Sequence, residues 1–457
     1  MLNLLTAFFE VCGSKYYGIV GSCLKSLAEL RSSANFTLTN ELDYVIGKAV
    51  RTMGPEVVLQ HIPLQITGNE ETFDFPRSWL LLVLRENVQK ANLAFFKSHF
   101  LPIAQACDRR VKTEEDKIIK KNYEMIVDQI WALLPGFCNN PKDFSVAFDQ
   151  IVVDMGRTLL DRKDLRMYIL ASLRQLILKA CSESESKSAI LSKYAVKFLK
   201  NLYTLYIVNP KGAEEVGQRQ SIMETIKLFL PLVPGQGNWL DTEGFDIVLS
   251  KYNDATSDDF LKDACHDLLR VMLRYQDQTR IQTMYDMCIS SLTDTVDQKK
   301  QKKAYKMLEE ICASNPGSSC HEFLKSHLSQ LQETLVQTLS KASPPSQASR
   351  IKCLTSIVRN LQNDQDQFVY KIIPEAILCI KATNEKARSG SYTLLVVIGE
   401  ALQRWKSHED IGNVFKDYMK VILAGLAGGA TMIHCTLKAI SRIYYVSCGR
   451  IRIFIRA

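Results

Sequence analysis

Residues 298–312, QKKQKKAYKMLEEIC, open with charge and then place Ala304, Leu308 and Ile311 at i, i+4, i+7. That spacing is the stripe of an amphipathic helix with one buried face. Variants of it recur. Ala264, Leu268 and Val271 repeat it, as do Ala387, Ser391, Leu394 and Ile398, then Ile433, Leu437 and Ile440, with a looser copy around Cys353 and Ile357. With Ala264, Ala304, Cys353, Ser391 and Thr436 as markers, the steps are about 40, 49, 38 and 45 residues, near the period of HEAT and armadillo repeats. A second kind of helix precedes the last four copies, over residues 279–292, 321–339, 366–381 and 410–428. The unit therefore reads helix A, short turn, helix B. One pair cannot bury its own apolar face, whereas stacked pairs can. The pattern predicts an all-α fold, an α-solenoid of HEAT/armadillo-like helical repeats.

Local signals place the remaining elements. Thr39 is positioned to cap a helix from Asn40 to Met53, and Pro55 sits in the first turn of the next, where its missing N–H costs nothing. Leu64 to Arg77 reads as a loop and Ser78 to Val88 as a buried helix. Asp108 to Asp116 reads as a charged connection, Ser182 to Ser188 as a solvated turn, and Lys341 to Ser349 as an exposed turn. Residues 1–445 read as one continuous solenoid. The stretches Asn209–Gly217 and Pro231–Gly237 are the richest in Pro and Gly, and the first is the better candidate for a seam. A final helix is expected over about Thr431–Tyr445. Beyond it, residues 446–457 form an atypical basic tail in which Ile451, Ile453 and Ile455 alternate with arginines. A period of two belongs to a strand, and a lone strand has no sheet to join, so loose ordering is expected there.

Composition changes this picture little. With 457 residues and 46% hydrophobic content, the chain exceeds one ordinary compact core, a limit that a solenoid evades by growing lengthwise. The net charge of +8 is misleading, because Asp417 is the last acidic residue and six basic residues follow it, so residues 1–417 carry only +2. The body is not a polyanion binder by charge alone. Thirteen cysteines, spread singly with no CxxC, suit a reducing compartment. No apolar run approaches the roughly 20 residues of a membrane span. The start, MLNLLTAFFEVCG, lacks a basic n-region and reads as a helix rather than a signal peptide.

The chemical motifs give no catalytic centre. The neighbours Cys265-His266, Cys320-His321 and His434-Cys435 lack the converging partners that a metal needs. No GxSxG, GxxxxGK[ST] or GxGxxG occurs. The residues therefore imply no enzyme, cofactor or small-molecule substrate. The densest basic feature is Lys299, Lys300, Lys302, Lys303 and Lys306. It reads first as a solvated turn leading into a B helix. Lysines at a helix start also oppose its dipole, so an RNA phosphate would relieve the site. Arg109, Arg110, Lys112, Lys117, Lys120 and Lys121 form a weaker set, interrupted by Glu114, Glu115 and Asp116.

Several stretches, taken in order, resemble the ribosomal RNA processing protein twelve family of HEAT-repeat ribosome assembly factors. They are Met53–Leu59, Ser78–Val88, Phe95–Ala104, Trp131–Cys138, Lys302–Ser314, Lys352–Arg359 and Ile373–Lys381. The resemblance implies a non-catalytic scaffold in ribosome biogenesis. It implies action in pre-rRNA processing, small-subunit precursor assembly and nuclear export of pre-ribosomes. Its implied partners are pre-ribosomal RNA, assembly proteins and the Ran/karyopherin machinery, with no membrane. The implied location is nucleus and nucleolus, with shuttling to the cytoplasm. Family members are longer, so a truncated form is expected here, departing from the pattern after about Tyr444. Two alternatives stay open: an importin-like nuclear transport receptor, and a regulatory scaffold subunit of an enzyme.

Overall fold

Helix follows helix through the described residues, because apolar stripes of helical period are separated by short polar turns. The structure, a computed structural model, describes residues 2–12, 17–68, 70, 75–183, 185–233, 243–294, 296–361, 366–405 and 411–451. No strand occurs among them. The chain divides into two compact units, Met1–Gly235 and Gln236–Ala457.

The first unit contains α1 (Leu2–Cys12), α2 (Tyr17–Arg31), α3 (Thr39–Met53), α4 (Pro55–His61), α5 (Trp79–Asn87), α6 (Leu93–Phe95), α7 (Leu101–Thr113), α8 (Lys117–Trp131), α9 (Leu134–Phe137), α10 (Phe144–Asp161), α11 (Arg166–Glu183), α12 (Glu185–Tyr206) and α13 (Ala213–Phe229). Gly54, at φ +91, turns the chain between α3 and α4, and Pro55 opens α4. Thr39 is itself the first residue of α3 and gives no side-chain cap. Asp116 caps α8, accepting from the Ile118 and Ile119 amides, so the charged connection shrinks to the residues between Thr113 and Lys117. In the loop after α4, Glu70 accepts from the Gly68 amide and the Tyr123 hydroxyl. Gly68, at φ +85, lies so close to α7 that a Cβ would stand 2.7 Å from that of Ala106. Further along, α10 packs on α12 and α11 on α13, two layers of neighbouring pairs. Ser182 and Glu183 continue α11 and α12 begins at Glu185, so the polar run is mostly helical rather than a turn.

The second unit contains α14 (Phe245–Asn253), α15 (Asp259–Met272), α16 (Gln278–Leu292), α17 (Gln298–Cys312), α18 (Ser319–Gln337), α19 (Gln347–Asn360), α20 (Asp366–Cys379), α21 (Glu385–Trp405), α22 (Ile411–Leu423) and α23 (Ala430–Ile451). The helices α16, α18, α20 and α22 pack side by side in one layer, and α15, α17, α19, α21 and α23 in the other. The five marker residues Ala264, Ala304, Cys353, Ser391 and Thr436 are all buried, one on each helix of the second layer. Aspartates and a serine begin α15 to α18: Asp258, Asp277, Asp297 and Ser318 each accept from a backbone amide in the first turn, satisfying donors that the helix itself leaves open. The architecture is thus the all-α HEAT-type solenoid that the repeat predicts.

Several local details bear on the sequence reading. The two compact units divide the chain between Gly235 and Gln236, and beside 209–217 Arg219 Nε donates to the Tyr206 carbonyl (3.0 Å) and ties α13 to α12. The stretch Lys341–Ser349 does turn at 344–346 and exposes Lys341, Pro344 and Pro345, but Ser343, Ser346 and Ser349 are buried, the first two held by Gln301. On α23 the buried face is Cys435, Thr436, Ala439 and Ile443. Leu437, offered as part of the stripe, is 54% exposed, because no further helix among the described residues covers that side. Arg450 and Ile451 are helical, continuing α23 past Tyr445 rather than starting a strand. Residues 452–457, and with them the alternation of Ile453 and Ile455, lie outside the described residues.

Candidate nucleic-acid interface

The five lysines do not form one surface. On α17 the residues at 298–303 wind through nearly two turns, so alternate positions face different neighbours. Lys299 and Lys303 point at α15. Lys299 Nζ lies 3.1 Å from Asp263 and 3.8 Å from Asp259, and Lys303 closes on the same Asp263 carboxylate. Asp259 and Asp263 are one helical turn apart on α15, as are their lysine partners on α17, so two helix faces meet as a charge ladder. Partial burial pushes the Asp263 carboxyl up, but Lys303 and Lys299 together outweigh it and hold it below the usual carboxylate range. The bond to Asp263 raises Lys299 in return.

Lys300 and Lys302 are exposed and make no ion pair among the described residues. The Lys300 amide, not its ammonium, engages Asp297, donating at 2.9 Å. Lys306 is half-buried, and burial lowers its pKa. Lys303 is also half-buried rather than exposed, drawn inward by Asp263. Between the lysines stands Gln301, fully buried. Its Nε2 donates to the Leu292 and Lys341 carbonyls, each at 2.9 Å, and its Oε1 accepts from the Ser343 amide at 2.8 Å and the Ser346 hydroxyl at 3.1 Å. One amide thus fixes the turns on both sides of α17 and with them the direction of the lysines.

A cleft of about 520 Å³ opens beside the ladder, lined among others by Tyr252, Lys262, His266, Lys299, Lys300 and Lys303. His266 Nε2 is 3.1 Å from the Lys303 carbonyl. Burial pushes its pKa down to about 4, so it is neutral near pH 7. Lys262 and Tyr252 were not singled out from the sequence. Lys262 lies in DDFLKDAC, one residue before Asp263, a stretch read for its apolar stripe and for Cys265 rather than for its charge. Further along α17, Glu310 pairs with Arg270 (3.0 Å) and Arg274, and Glu309 with Lys352 (2.8 Å).

The weaker basic set is divided between the end of α7 and the start of α8, where Arg110 pairs with Glu114 (3.0 Å) and Lys121 with Glu124 (3.5 Å). Of the three His-Cys neighbours, Cys265, Cys320 and Cys435 are buried. Among the described residues no group of three His, Cys, Asp or Glu could hold a metal ion, and no helix is long and apolar enough to cross a membrane.

Residues 1–209 match the family described as ribosomal RNA-processing protein 12, HEAT repeats. The human RRP12-like protein is 37% identical over 456 residues, which cover 97% of this chain and 34% of that protein. The Ribosomal RNA-processing protein 12 of Saccharomyces cerevisiae is 24% identical over 434 residues, covering 86% of this chain and 34% of that protein. The chain belongs to this family. It spans about a third of the length of the curated relatives it matches. Solved structures with the same fold include the Kap95:Nup1 complex, with a TM-score of 0.56, 11% identity, and coverage of 96% of this chain and 52% of that one. Kap121p is a second, with a TM-score of 0.52, 11% identity, and coverage of 93% and 46%. At that identity the likeness concerns the fold alone.

Proposed function

We propose that this chain is a non-catalytic scaffold of ribosome biogenesis. Its membership of a family whose relatives are named for ribosomal RNA processing carries the reading. In this reading it acts in pre-rRNA processing, small-subunit precursor assembly and pre-ribosome export. It works in the nucleus and nucleolus and shuttles to the cytoplasm. It binds pre-ribosomal RNA and assembly proteins and meets the Ran/karyopherin machinery. RNA phosphates contact the lysines of α17, Lys299, Lys300 and Lys303 from within the cleft and Lys302 and Lys306 from outside it. Stacked helix pairs supply long surfaces for such contacts.

Two experiments test it. Tagged protein should co-sediment with pre-40S or 90S particles. RanGTP-dependent cargo release without co-sedimentation would instead mark a transport receptor, and a stoichiometric phosphatase an enzyme scaffold. Changing Lys299, Lys300, Lys302 and Lys303 together to Gln should weaken RNA binding, and each lost phosphate contact should flatten log affinity against log salt by about 0.7–0.9. Sequence preference should stay, because phosphate contacts carry no base information. An unchanged slope would remove the cluster from the interface.

A further inference from the structure

A different surface, in the first unit, is shaped for a protein. The outward side of α10 carries Val146, Val153 and Leu160, which are 70%, 56% and 39% exposed. They are seven residues apart, two helical turns each, so they form one stripe about 21 Å long. Beside it, between α10 and α12, lies a groove of about 270 Å³ lined by Val152, Gly156 and Leu160 on one wall and Tyr194 and Phe198 on the other.

Gly156 decides what the groove is for. A glycine inside a helix costs about 1 kcal/mol relative to alanine. Close packing or a left-handed backbone would explain it, but a Cβ on Gly156 would meet nothing within 4 Å. Nothing among the described residues needs the position bare, and the bare position leaves open floor. The rims supply charge. Arg157 and Lys197 line the groove from its two helices and make no ion pair among the described residues. The nearby carboxylate of Asp149 is already taken by the Tyr194 hydroxyl at 2.9 Å. An aliphatic floor between two free cations complements an aliphatic ridge flanked by carboxylates.

We propose that the α10–α12 groove docks an amphipathic helix of a partner protein, with aliphatic anchors at i, i+4 and i+7 and Asp or Glu on either side, laid against Gly156 between Arg157 and Lys197. This is the helix-in-groove mode of recognition. RNA is a poorer fit, because single strands stack on open aromatic faces, whereas Phe198 is buried and Tyr194 is only partly exposed, with its hydroxyl tied to Asp149.

The test uses the 457-residue chain and two labelled helical peptides of about 18 residues, both with leucines at i, i+4, i+7 and i+11. One carries glutamates along the leucine ridge and the other lysines. Fluorescence anisotropy should show binding of the glutamate peptide and not of its mirror. Gly156→Leu should weaken that binding at least about tenfold without lowering the melting temperature, since leucine is the better helix former. The double change Arg157→Glu with Lys197→Glu should transfer binding to the lysine peptide. The quadruple lysine variant of α17 should bind the peptide as the parent does, which separates this surface from the RNA reading. Equal affinity for both peptides, or full binding by Gly156→Leu, would overturn the proposal. So would displacement of the peptide by single-stranded RNA, or self-association of the free chain that Gly156→Leu abolishes, which would make the occupant a second copy.

Discussion

One joint in each of the two units is held by different chemistry. In the first, Phe96, Phe100 and Phe137 are fully buried and meet with ring centroids 5.4–5.8 Å apart, with Trp131 at 6.1 Å from Phe96. These rings join the segment before α7 to α8 and α9 without a hydrogen bond between them. In the second, Arg350 on α19 is fully buried. It donates to both Glu375 oxygens (2.6 and 2.9 Å), to the Tyr305 hydroxyl (2.8 Å), to Thr338 Oγ1 (3.0 Å) and to the Leu335 carbonyl (2.6 Å). One guanidinium therefore ties α17, α18, α19 and α20. Burial opposes its charge, but Glu375 and Tyr305 more than restore it. Ring packing is adaptable and nearly non-directional, whereas a buried charge holds only while every partner is in place.

That contrast is broken or confirmed first at Arg350. Arg350→Ala strands Glu375, a buried carboxylate, and should cost about 3–5 kcal/mol. Arg350→Met with Glu375→Leu, which removes both charges and keeps volume, should recover most of the loss. Urea melts report the totals, and hydrogen exchange in α19 and α20 locates them. If the single and double variants are equally unstable, packing rather than charge pairing is what Arg350 supplies.

A second buried polar group of this unit gives a pH dependence. His266, ordinarily near 6.5, is pushed down to about 4 by burial. Between those values the unfolded chain binds the proton and the folded chain does not. The stabilisation is therefore complete above about pH 6.5 and is lost as pH falls from there through about 4. Between about pH 7 and pH 5 the loss should be on the order of 1–2 kcal/mol. His266→Gln keeps a donor for the Lys303 carbonyl and does not titrate, so its melts should fall less over the same range. Parallel falls in the two proteins would show that His266 is hydrated in the folded state.

Phe100→Leu tests the other joint. The change leaves a smaller apolar side chain, and because the surrounding rings of Phe96 and Phe137 can close on it, the cost should stay well under the about 3–5 kcal/mol of truncating a buried Phe to Ala. A loss as large as that of Arg350→Ala would mean that the aromatic joint is as exacting as the polar one, and the contrast would disappear.

Much of this was readable before any coordinates. The markers from Ala264 to Thr436 fall on five stacked helices because burial of one face imposes a 3.6-residue period whatever the neighbour is. Family resemblance was legible from short matching stretches for the same reason: they are core faces in fixed order. What escaped was set by partners distant in sequence. Gln301 looked like one more polar residue among lysines, yet it is buried by turns around residues 292 and 343. Arg350, inside ASRIKCLTSIV, carries no mark of the Glu375 that admits it to the core. Leu437 has the right spacing for burial and the wrong side, since periodicity gives a face and not what lies over it. Within the candidate site, the lysines were legible as a charge run, but their division into paired and free was not, because Asp263 answers them from about 40 residues away.

The smallest stability effect separates the roles of that division. Asp263 holds Lys299 and Lys303 at a partly exposed surface, where an ion pair is worth about 1 kcal/mol or less. Asp263→Asn should therefore leave the melting temperature almost unchanged. Its effect on RNA should be larger and of opposite sign. With the carboxylate gone, two lysines are released at the cleft beside Lys300, and the local charge rises by one. If phosphates bind there, affinity should increase and the slope of log affinity against log salt should steepen by up to about 0.7–0.9 per lysine recruited. The quadruple lysine variant should show the reverse. Filter binding over a salt series, with the melt as control, measures both. A steeper slope in one variant and a flatter one in the other would make the ladder a restraint on RNA binding. Unchanged slopes in both would leave Lys299, Lys303 and Asp263 as a solvated seam between two helices.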